Sequence, residues 1–452
     1  DNLRLTYPHS FRAENDSLQF SVKATQSARV DGFTSADIRV VDVTDPGAVQ
    51  IIQPAIDGGG NAFAATVPAG DRGKARRLVA LPASRISQPA SLTLNQPSTL
   101  NSNANTADLV IVAYKDFIPS LAPLVAQRQA QGYSVKVADI DDVYDEFSFG
   151  EHTSQAIRDF MLLAKNSWTR GPAYLLLVGD ASYDPRNRLG FGSFDLVPTK
   201  LVDTGTAGTA TALEAASDDA LTDFDGNGIA DIAVGRLPVR TVADANLVVG
   251  KIVNYSPGNT GNKALLVADT QGSYFFNFEA ANDQVATTLP AGMTVQKVYR
   301  RLQPSDAVAR TNIITNLNSG QSVTVYSGHG NVDIWGGSIF TGSDAAALTN
   351  GNRLSFVVVM DCLNGYFDDP ALVSLGETFL AAPNGGAVAS FASSGLTLPD
   401  GQHAMGFKMF QLLYSGSPMP IGDASRQAKS ATNDMDVRRT WVLFGDPTLK
   451  IR

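Results

Sequence analysis

The sequence is poor in the residues that build cross-links and metal clusters. Its 452 residues include one cysteine, Cys362, and four histidines. A single cysteine excludes a disulfide within the chain, and it also excludes a four-cysteine zinc site or an iron–sulfur cluster held by one chain. A lone cysteine is more often an inert, buried apolar residue than a nucleophile, so its surroundings decide its role.

Charge and long apolar runs are scarce as well. Charged residues make up 17% of the chain, and the net charge is −9 with a pI near 5.0. Nucleic acid is therefore not expected as the main partner, because phosphate binding needs clustered Lys and Arg. No apolar run approaches the roughly 20 residues of a membrane-spanning helix. No signal peptide is recognisable at the start, and Asp1 resembles a mature or trimmed end. A lone cysteine in an otherwise cysteine-free chain fits a secreted or cell-surface enzyme that avoids disulfide scrambling.

The pattern along the chain predicts several domains, since a chain of this length exceeds one ordinary core. Short alternating runs over residues 1–88 predict an all-β, sandwich-like domain. Residues 89–106 are rich in Ser, Asn, Thr and Pro and predict a linker. Strands then alternate with helices, which favours parallel sheets, and a pause near residue 258 divides this region into 107–258 and 259–452.

Two of the predicted strands end on reactive side chains. The run "SVTVYSG" leads to His329, and "LSFVVVM" leads to Asp361 and Cys362. Sites in open α/β sheets form beyond the carboxyl ends of the strands. The separation of 33 residues leaves room for one loop or short helix, so the two strands could be parallel neighbours. An imidazole near a thiol can take its proton and stabilise the thiolate, which predicts a Cys–His hydrolase.

Glycines on either side of His329 leave the main chain uncovered. The N–H of Gly330 would be open to a developing oxyanion, and the N–H of Cys362 would supply a second donor. The alternative is that the histidine merely ends a strand and the glycines merely form a turn.

Five motifs give the chain a specific likeness to a known family. They are "VGDASYD", "DIAVGRLPVRT", "YSGHGNVDIWGG", "VVVMDCLNGYF" and "FGDPTL", in that order. Over about residues 107–452 the chain resembles the gingipain family of cysteine peptidases, in the clan that includes caspases and legumains. The resemblance implies a caspase-like catalytic domain of two side-by-side α/β subdomains with mostly parallel sheets. It implies that Cys362 is the nucleophile and His329 the general base.

The resemblance also suggests further site residues. Gingipains have an acid near the histidine, and Asp269 at the end of "ALLVAD" occupies that place; the alternative is an Asp that caps a turn. Trp335 falls where gingipains also have a Trp, so we expect it to bind substrate. Asp361 is expected to be structural, because it should point to the other side of the strand.

Specificity is harder to assign from the sequence. The family resemblance suggests a basic P1 residue held by an acid, with Glu279 and Asp283 as candidates. The aromatic side chains nearby could instead form an apolar pocket: Tyr274, Phe275, Phe276 and Phe278. The loop 393–401 is expected to form another wall.

The segment "TDFDGNGIAD" predicts a calcium-binding turn. Asp223, Asp225, Asn227 and Asp231 occupy positions 1, 3, 5 and 9 of a calcium loop. Position 12 is Val234 and a strand follows, so the segment is not an EF-hand. The alternative is a solvated acidic loop, and the resemblance adds support, since gingipain-like enzymes carry structural calcium.

Three classes of function are compatible with these features. The first is a secreted endopeptidase that forms a thioester with a peptide or protein substrate. The second is a transpeptidase of the same family, which passes the acyl group to an amine. The third is a catalytically silent surface or adhesion module, against which the intact Cys and His argue. Flanking domains of a longer precursor are compatible with all three.

Overall fold

The computed structural model forms two compact units, Asp1–Gln96 and Pro97–Arg452. It describes residues 9–70, 73, 75–89, 91–92, 94–205, 214–271 and 276–452.

The first unit is built from two antiparallel sheets. One has the strand order β1-β7-β3-β4 and the other has the order β2-β6-β5. The bounds are β1 Leu18–Val22, β2 Ala28–Phe33, β3 Ile38–Asp42, β4 Gln50–Ile52, β5 Ala55–Gly59, β6 Ala62–Val67 and β7 Arg76–Pro82. Alternate residues such as Leu78 and Ala80 of β7 are fully buried, as expected for strands with one apolar face. The prediction of an all-β fold for this region is confirmed.

The second unit contains a ten-stranded sheet in the order β15-β14-β16-β19-β20-β21-β13-β10-β8-β9. Its strands are β8 Leu109–Ala113, β9 Val135–Asp139, β10 Tyr174–Val178, β13 Ala233–Leu237, β14 Lys263–Ala268, β15 Thr294–Tyr299, β16 Val323–Ser327, β19 Ser355–Met360, β20 Ala387–Ser393 and β21 Trp441–Phe444. Neighbouring strands run parallel except β20 and β21, which are antiparallel. The predicted α/β fold with a mostly parallel sheet is confirmed.

Helices cover both faces of this sheet. They are α1 Ala122–Ala130, α2 Ile140–Ser148, α3 Ser154–Ser167, α4 Val242–Val253, α5 Phe278–Ala286, α6 Asp306–Asn318, α7 Gly342–Ala346, α8 Leu375–Ala381, α9 Pro399–Tyr414, α10 Ile421–Ala428 and α11 Met435–Thr440. The described part of the unit also contains two small antiparallel strand pairs: β11 Lys200–Asp203 with β12 Glu214–Ser217, and the hairpin of β17 Gly330–Asn331 with β18 Ile334–Trp335. Because the central strands are buried on both faces, their sequences are continuous apolar runs.

The two α/β halves share this one sheet. Four strands come from residues 107–258 and six from 259–452, and the halves meet where β13 pairs with β21. One large apolar cluster covers one face across both halves, and two smaller clusters cover the opposite face.

Part of the predicted linker belongs to the second unit. Leu100 is buried there, and its carbonyl accepts a hydrogen bond from Nε1 of Trp168 at 3.0 Å. The Glu146 carboxylate accepts from the N–H groups of Leu100 and Asn101. The second half of 89–106 therefore packs on the α/β unit even though its composition is that of a linker.

Candidate active site

The two reactive residues leave the sheet side by side. β16 pairs in parallel with β19, and Ser327 is level with Met360. This register has an offset of 33 residues, which equals the separation of His329 and Cys362. Each of these residues therefore lies two positions beyond the end of its strand, at the carboxyl edge where α/β sheets place their sites.

Strand alternation puts His329 and Cys362 on the same face of the sheet. Val325 of β16 and Val358 of β19 belong to the large apolar cluster, and side chains at even steps from them share that face. In agreement, the His329 ring meets the ring of Phe278 edge-on with centroids 5.4 Å apart, and Phe278 belongs to the same cluster.

Helix α5 places Phe278 against the imidazole. The helix begins where the side chain of Asn277 accepts from the N–H of Ala280 at 2.9 Å, a standard N-cap. The main chain of His329 is fixed separately, because its carbonyl accepts from the Tyr326 hydroxyl at 2.6 Å. The imidazole is exposed, so it can meet a substrate.

Cys362 lies beside the loop that leads into α9. Its thiol donates to the carbonyl of Thr397 at 3.5 Å, and Gln402 Nε2 donates to the same carbonyl at 3.2 Å. Burial raises the pKa of the Cys362 thiol, so a base is needed to form the thiolate at neutral pH. The predicted wall 393–401 thus lies at the thiol. Leu363 has a φ of 67°, in the left-handed region, which turns the chain sharply after Cys362.

Asp269 contacts the main chain of the histidine. Its Oδ2 accepts from the N–H of His329 at 3.3 Å, and its Oδ1 accepts from Thr270 N at 2.7 Å and from Arg300 Nη1 at 2.9 Å. Asp269 follows Val267 by two residues, so it lies on the face opposite to Phe278 and Val325. This contact anchors the loop of His329; a role in orienting the imidazole stays a prediction.

The glycines on either side of His329 are required by buried side chains packed against them. A Cβ at Gly328 would collide with the side chains of Asp269 and Tyr326, and a Cβ at Gly330 would collide with Asp361. Glycine is therefore needed at both positions because there is no room for a side chain, and not only because glycine favours turns. Any larger residue would push the loop away from the sheet.

Comparison with known proteins assigns the family. The sequence model of peptidase family C25 matches residues 102–452 of this chain. This chain belongs to peptidase family C25. The resemblance to gingipain-type cysteine peptidases is thereby confirmed.

Known relatives in family C25 agree in sequence and fold. Gingipain R2 of Porphyromonas gingivalis is 22% identical over 367 residues, which cover 76% of this chain and 46% of that protein. The crystal structure of the Arg-specific cysteine proteinase gingipain R superposes with a TM-score of 0.63 and 21% identity, over 78% of this chain and 79% of that one. Dimeric latent PorU of Porphyromonas gingivalis gives a TM-score of 0.53 and 16% identity, over 98% of this chain and 39% of that one. The chain spans about half the length of gingipain R2.

Trp335 is not placed to bind substrate in this C25 chain, contrary to the prediction. It is fully buried and stacks on Tyr326 with ring centroids 4.3 Å apart, and Phe340 and Phe379 pack around it. It supports the loop of His329 from the opposite face of the sheet.

The two candidate acids for a basic P1 residue already have partners. Glu279 forms two hydrogen bonds with Arg301, at 2.7 and 3.1 Å. Asp283 binds Lys297 at 2.8 Å and the Tyr299 hydroxyl at 2.5 Å. A basic side chain of a substrate would have to displace one of these groups. Both acids remain predictions as specificity residues.

Two of the aromatic residues of the alternative apolar pocket pack against each other, and the pocket itself stays a prediction. Phe276 packs against Phe278 with centroids 5.3 Å apart, and it also meets the ring of His403 at 6.0 Å. Tyr274 and Phe275 lie outside the residues that the structure describes.

The predicted calcium loop is folded as a tight turn. Asp223 accepts from the N–H groups of Gly226, Asn227 and Gly228, and Asn227 Nδ2 donates to Asp225 Oδ2 at 2.8 Å. Asp231 instead binds Lys165 at 2.5 Å. Burial opposes the ionisation of Asp231, but the hydrogen bonds from Lys165 and Phe224 N outweigh it and lower its pKa.

Metal binding at this turn stays a prediction. Within the described residues, no group of three or more His, Cys, Asp or Glu side chains could hold a metal ion. The turn itself offers two adjacent carboxylates and one amide oxygen, which are ligands that suit calcium. Asp231 could join them only by leaving Lys165.

Sequence reasoning missed several residues that shape the site. Arg300 and Gln402 lie outside the quoted motifs, and only the fold brings them to the two strand ends. Tyr326 begins the motif of His329, but its contact with the carbonyl of His329 is visible only in the structure. The sequence predicts that Asp361 is structural and points away from the thiol. In the structure, its carboxyl group lies against Gly330.

Proposed function

We propose that this chain is a cysteine endopeptidase that acts through a thioester. One observation supports this above all: the register of β16 and β19 places His329 and Cys362 level, on one face, beyond two adjacent strand ends. Family membership supports the same chemistry.

The reaction follows from these positions. His329 takes the thiol proton as the Cys362 sulfur attacks the scissile carbonyl carbon, and the carbonyl oxygen becomes an oxyanion. The N–H groups of Gly330 and Cys362 are the proposed donors to that oxygen. As the C–N bond breaks, the imidazolium gives its proton to the leaving amine. Water then attacks the thioester with the same base, and the acid product and free thiol are released.

We propose cleavage after a basic residue. The related structure carries the description Arg-specific, and a related sequence carries the name Lys-gingipain. Glu279 is the better of the two acids, because it follows Phe278, whose ring contacts His329. An arginine of the substrate would replace Arg301 on that carboxylate. Glu279→Gln should then raise KM for basic P1 residues selectively, whereas Asp283→Asn should leave P1 preference unchanged.

We also propose that the protein works outside the cell or on its surface. A chain with one thiol cannot scramble disulfides within itself in an oxidising compartment. No helix in the described part of the chain is long and apolar enough to cross a membrane. Detection of the protein in culture medium or by surface labelling would test this location.

The decisive experiment uses the single cysteine. A peptide library is incubated with the wild type and with Cys362→Ala, and intact mass reports alkylation of the one thiol. We expect cleavage and rapid alkylation in the wild type only. His329→Ala should slow both, while His152→Ala, which removes a ring stacked on Tyr144 in the other α/β half, should slow neither.

The other function classes predict different products. A transpeptidase would give the amide of an added amine in place of the acid. A silent module would show no cleavage by the wild type, and the proposal would then fail.

A further inference from the structure

Asp361, the residue before the proposed nucleophile, is a buried acid to which no described residue donates a hydrogen bond. Its side chain is fully buried. Both carboxyl oxygens lack a hydrogen-bond partner among the residues that the structure describes. A buried carboxylate with neither donors nor a cation is costly, and such a group normally keeps its proton instead.

The carboxyl group of Asp361 lies against Gly330. Its Oδ2 occupies the space that a Cβ of residue 330 would need. Gly330 begins the hairpin of β17 and β18, in which it pairs with Trp335. Asp361 is therefore in contact with the main chain that provides a proposed oxyanion donor.

Two more polar atoms at this hairpin lack partners among the described residues. They are Nε1 of Trp335, a donor, and Oδ1 of Asn364, an acceptor. Asn364 is held at the hairpin because its Nδ2 donates to the carbonyls of Asn331 and Ile334. A protonated Asp361 adds one donor to this hairpin, whereas an ionised Asp361 adds acceptors only.

The charges that face Asp361 also favour the neutral acid. Asp269 lies on the same face and already takes the positive charge of Arg300. The Tyr326 hydroxyl, on the strand between them, has a pKa raised by burial and further by the two acids. Burial raises the pKa of Asp361 well above its usual value. The thiol of Cys362 lies on the other face, and an ionised Asp361 would oppose its thiolate.

We propose that Asp361 is a positioning residue that carries a proton and holds the main chain of Gly330 beside Cys362. The neutral carboxyl fills the space under Gly330 and keeps its N–H directed at the oxyanion, while adding no negative charge next to it. This rests on the proposed cysteine peptidase activity, although the protonation and the contact with Gly330 can be measured without it.

The first test measures the protonation state of Asp361 and its contact with Gly330 directly, in the Cys362→Ala protein. An infrared difference spectrum against Asp361→Asn should show the carbonyl stretch of one protonated carboxyl at neutral pH. His329–Gly330 is the only His-Gly step in the sequence, so ¹³C-carbonyl histidine with ¹⁵N-glycine gives a single amide signal for Gly330. That signal should move more in Asp361→Leu than in Asp361→Asn.

Asp368→Asn is the matched control for these measurements. Asp368 is also buried, and its Oδ1 lacks a partner among the described residues, but its recorded contact is with Tyr183 through the main chain. This variant should leave the Gly330 signal in place. A missing carboxyl band for Asp361, or a Gly330 signal that Asp368→Asn moves as far as Asp361→Leu does, would overturn the proposal.

The second test is kinetic and uses the active enzyme. Asp361→Asn, a neutral isostere, should keep kcat within about threefold of the wild type. Asp361→Leu should lower kcat by about 30-fold with KM little changed, because an oxyanion donor acts in the transition state. An Asn variant as damaged as the Leu variant would show that a carboxylate is needed and would refute the neutral acid. If the wild type cleaves nothing, the proposed function fails, and the spectra still decide the state of Asp361.

Discussion

Replacement of Asp269 by Asn distinguishes a main-chain anchor from an acid that orients the imidazole. An amide oxygen at the Oδ1 position can still accept from Thr270 N and Arg300 Nη1, but the NH₂ group at the Oδ2 position then faces the N–H of His329. The variant therefore loses the negative charge opposite Arg300 and gains a contact between two donors.

The size of the effect follows from these contacts. A hydrogen bond to a charged group contributes about 1.5–3 kcal/mol, and Arg300 is partly exposed, which places it at the lower end. The unsatisfied N–H of His329 adds about 1 kcal/mol. We expect a total loss of about 2–4 kcal/mol in the free energy of unfolding, or about 3–5 °C in Tm for a unit of this size. A displaced loop should lower kcat/KM by about 10–100-fold.

Calorimetry and steady-state kinetics on the same preparations provide the assay. Arg300→Met should reproduce the loss of stability, and the double variant should show less than the sum, because both changes break one pair. Asp306→Asn removes the exposed partner of Arg300 and should cost less than about 1 kcal/mol. A kcat reduced about 10⁴-fold with unchanged stability would refute the anchor and show that Asp269 orients the imidazole.

Three other predictions test separate parts of the structure. Trp335→Leu should lower the free energy of unfolding by about 3 kcal/mol, as measured by denaturation, because the side chain is fully buried. A substrate library should show an unchanged P1 preference. A change in KM for only some P1 residues would show that Trp335 binds substrate after all. Burial raises the pKa of Asp368 to about 7. The folded state therefore holds the Asp368 proton more tightly than the unfolded state, and this contribution to the free energy of unfolding is lost as pH rises from about 4 through 7. Asp368→Asn should therefore gain about 2–3 kcal/mol relative to the wild type between about pH 5 and pH 8 in urea titrations, and equal slopes with pH would contradict this. A strong chelator should lower Tm and added calcium should restore it, since a ligand that binds only the folded state stabilises it. Asp225→Ala should remove this response to chelator and calcium. A Tm that the chelator does not change would show that the turn is a solvated acidic loop.

The local sequence was sufficient for the elements of the sheet. Runs such as "DLVIVAY" and "LSFVVVMD" read as buried strands, and they are β8 and β19. Periodicity and apolar character act over a few residues, so they survive without knowledge of the fold. The place of His329 and Cys362 at strand ends was predictable for the same reason.

The sequence alone did not reveal the partners of the charged residues. The sequence predicts that Glu279 or Asp283 holds a basic P1 residue and that Asp231 binds calcium. In the structure, these three acids pair with Arg301, Lys297 and Lys165, respectively. Such pairs join residues that are distant in sequence, and no local pattern encodes them.

The sequence by itself determined the family, the nucleophile and base candidates, and the parallel α/β architecture, because these depend on motifs and on short-range periodicity. The tertiary structure decided what surrounds them. It made the offset of 33 residues a pairing of neighbouring strands, buried Trp335 in the core, and placed Asp269 and Asp361 against the glycines of the His329 loop. The physical reason is that register and close packing are set by contacts across the sheet, which form only when distant segments meet.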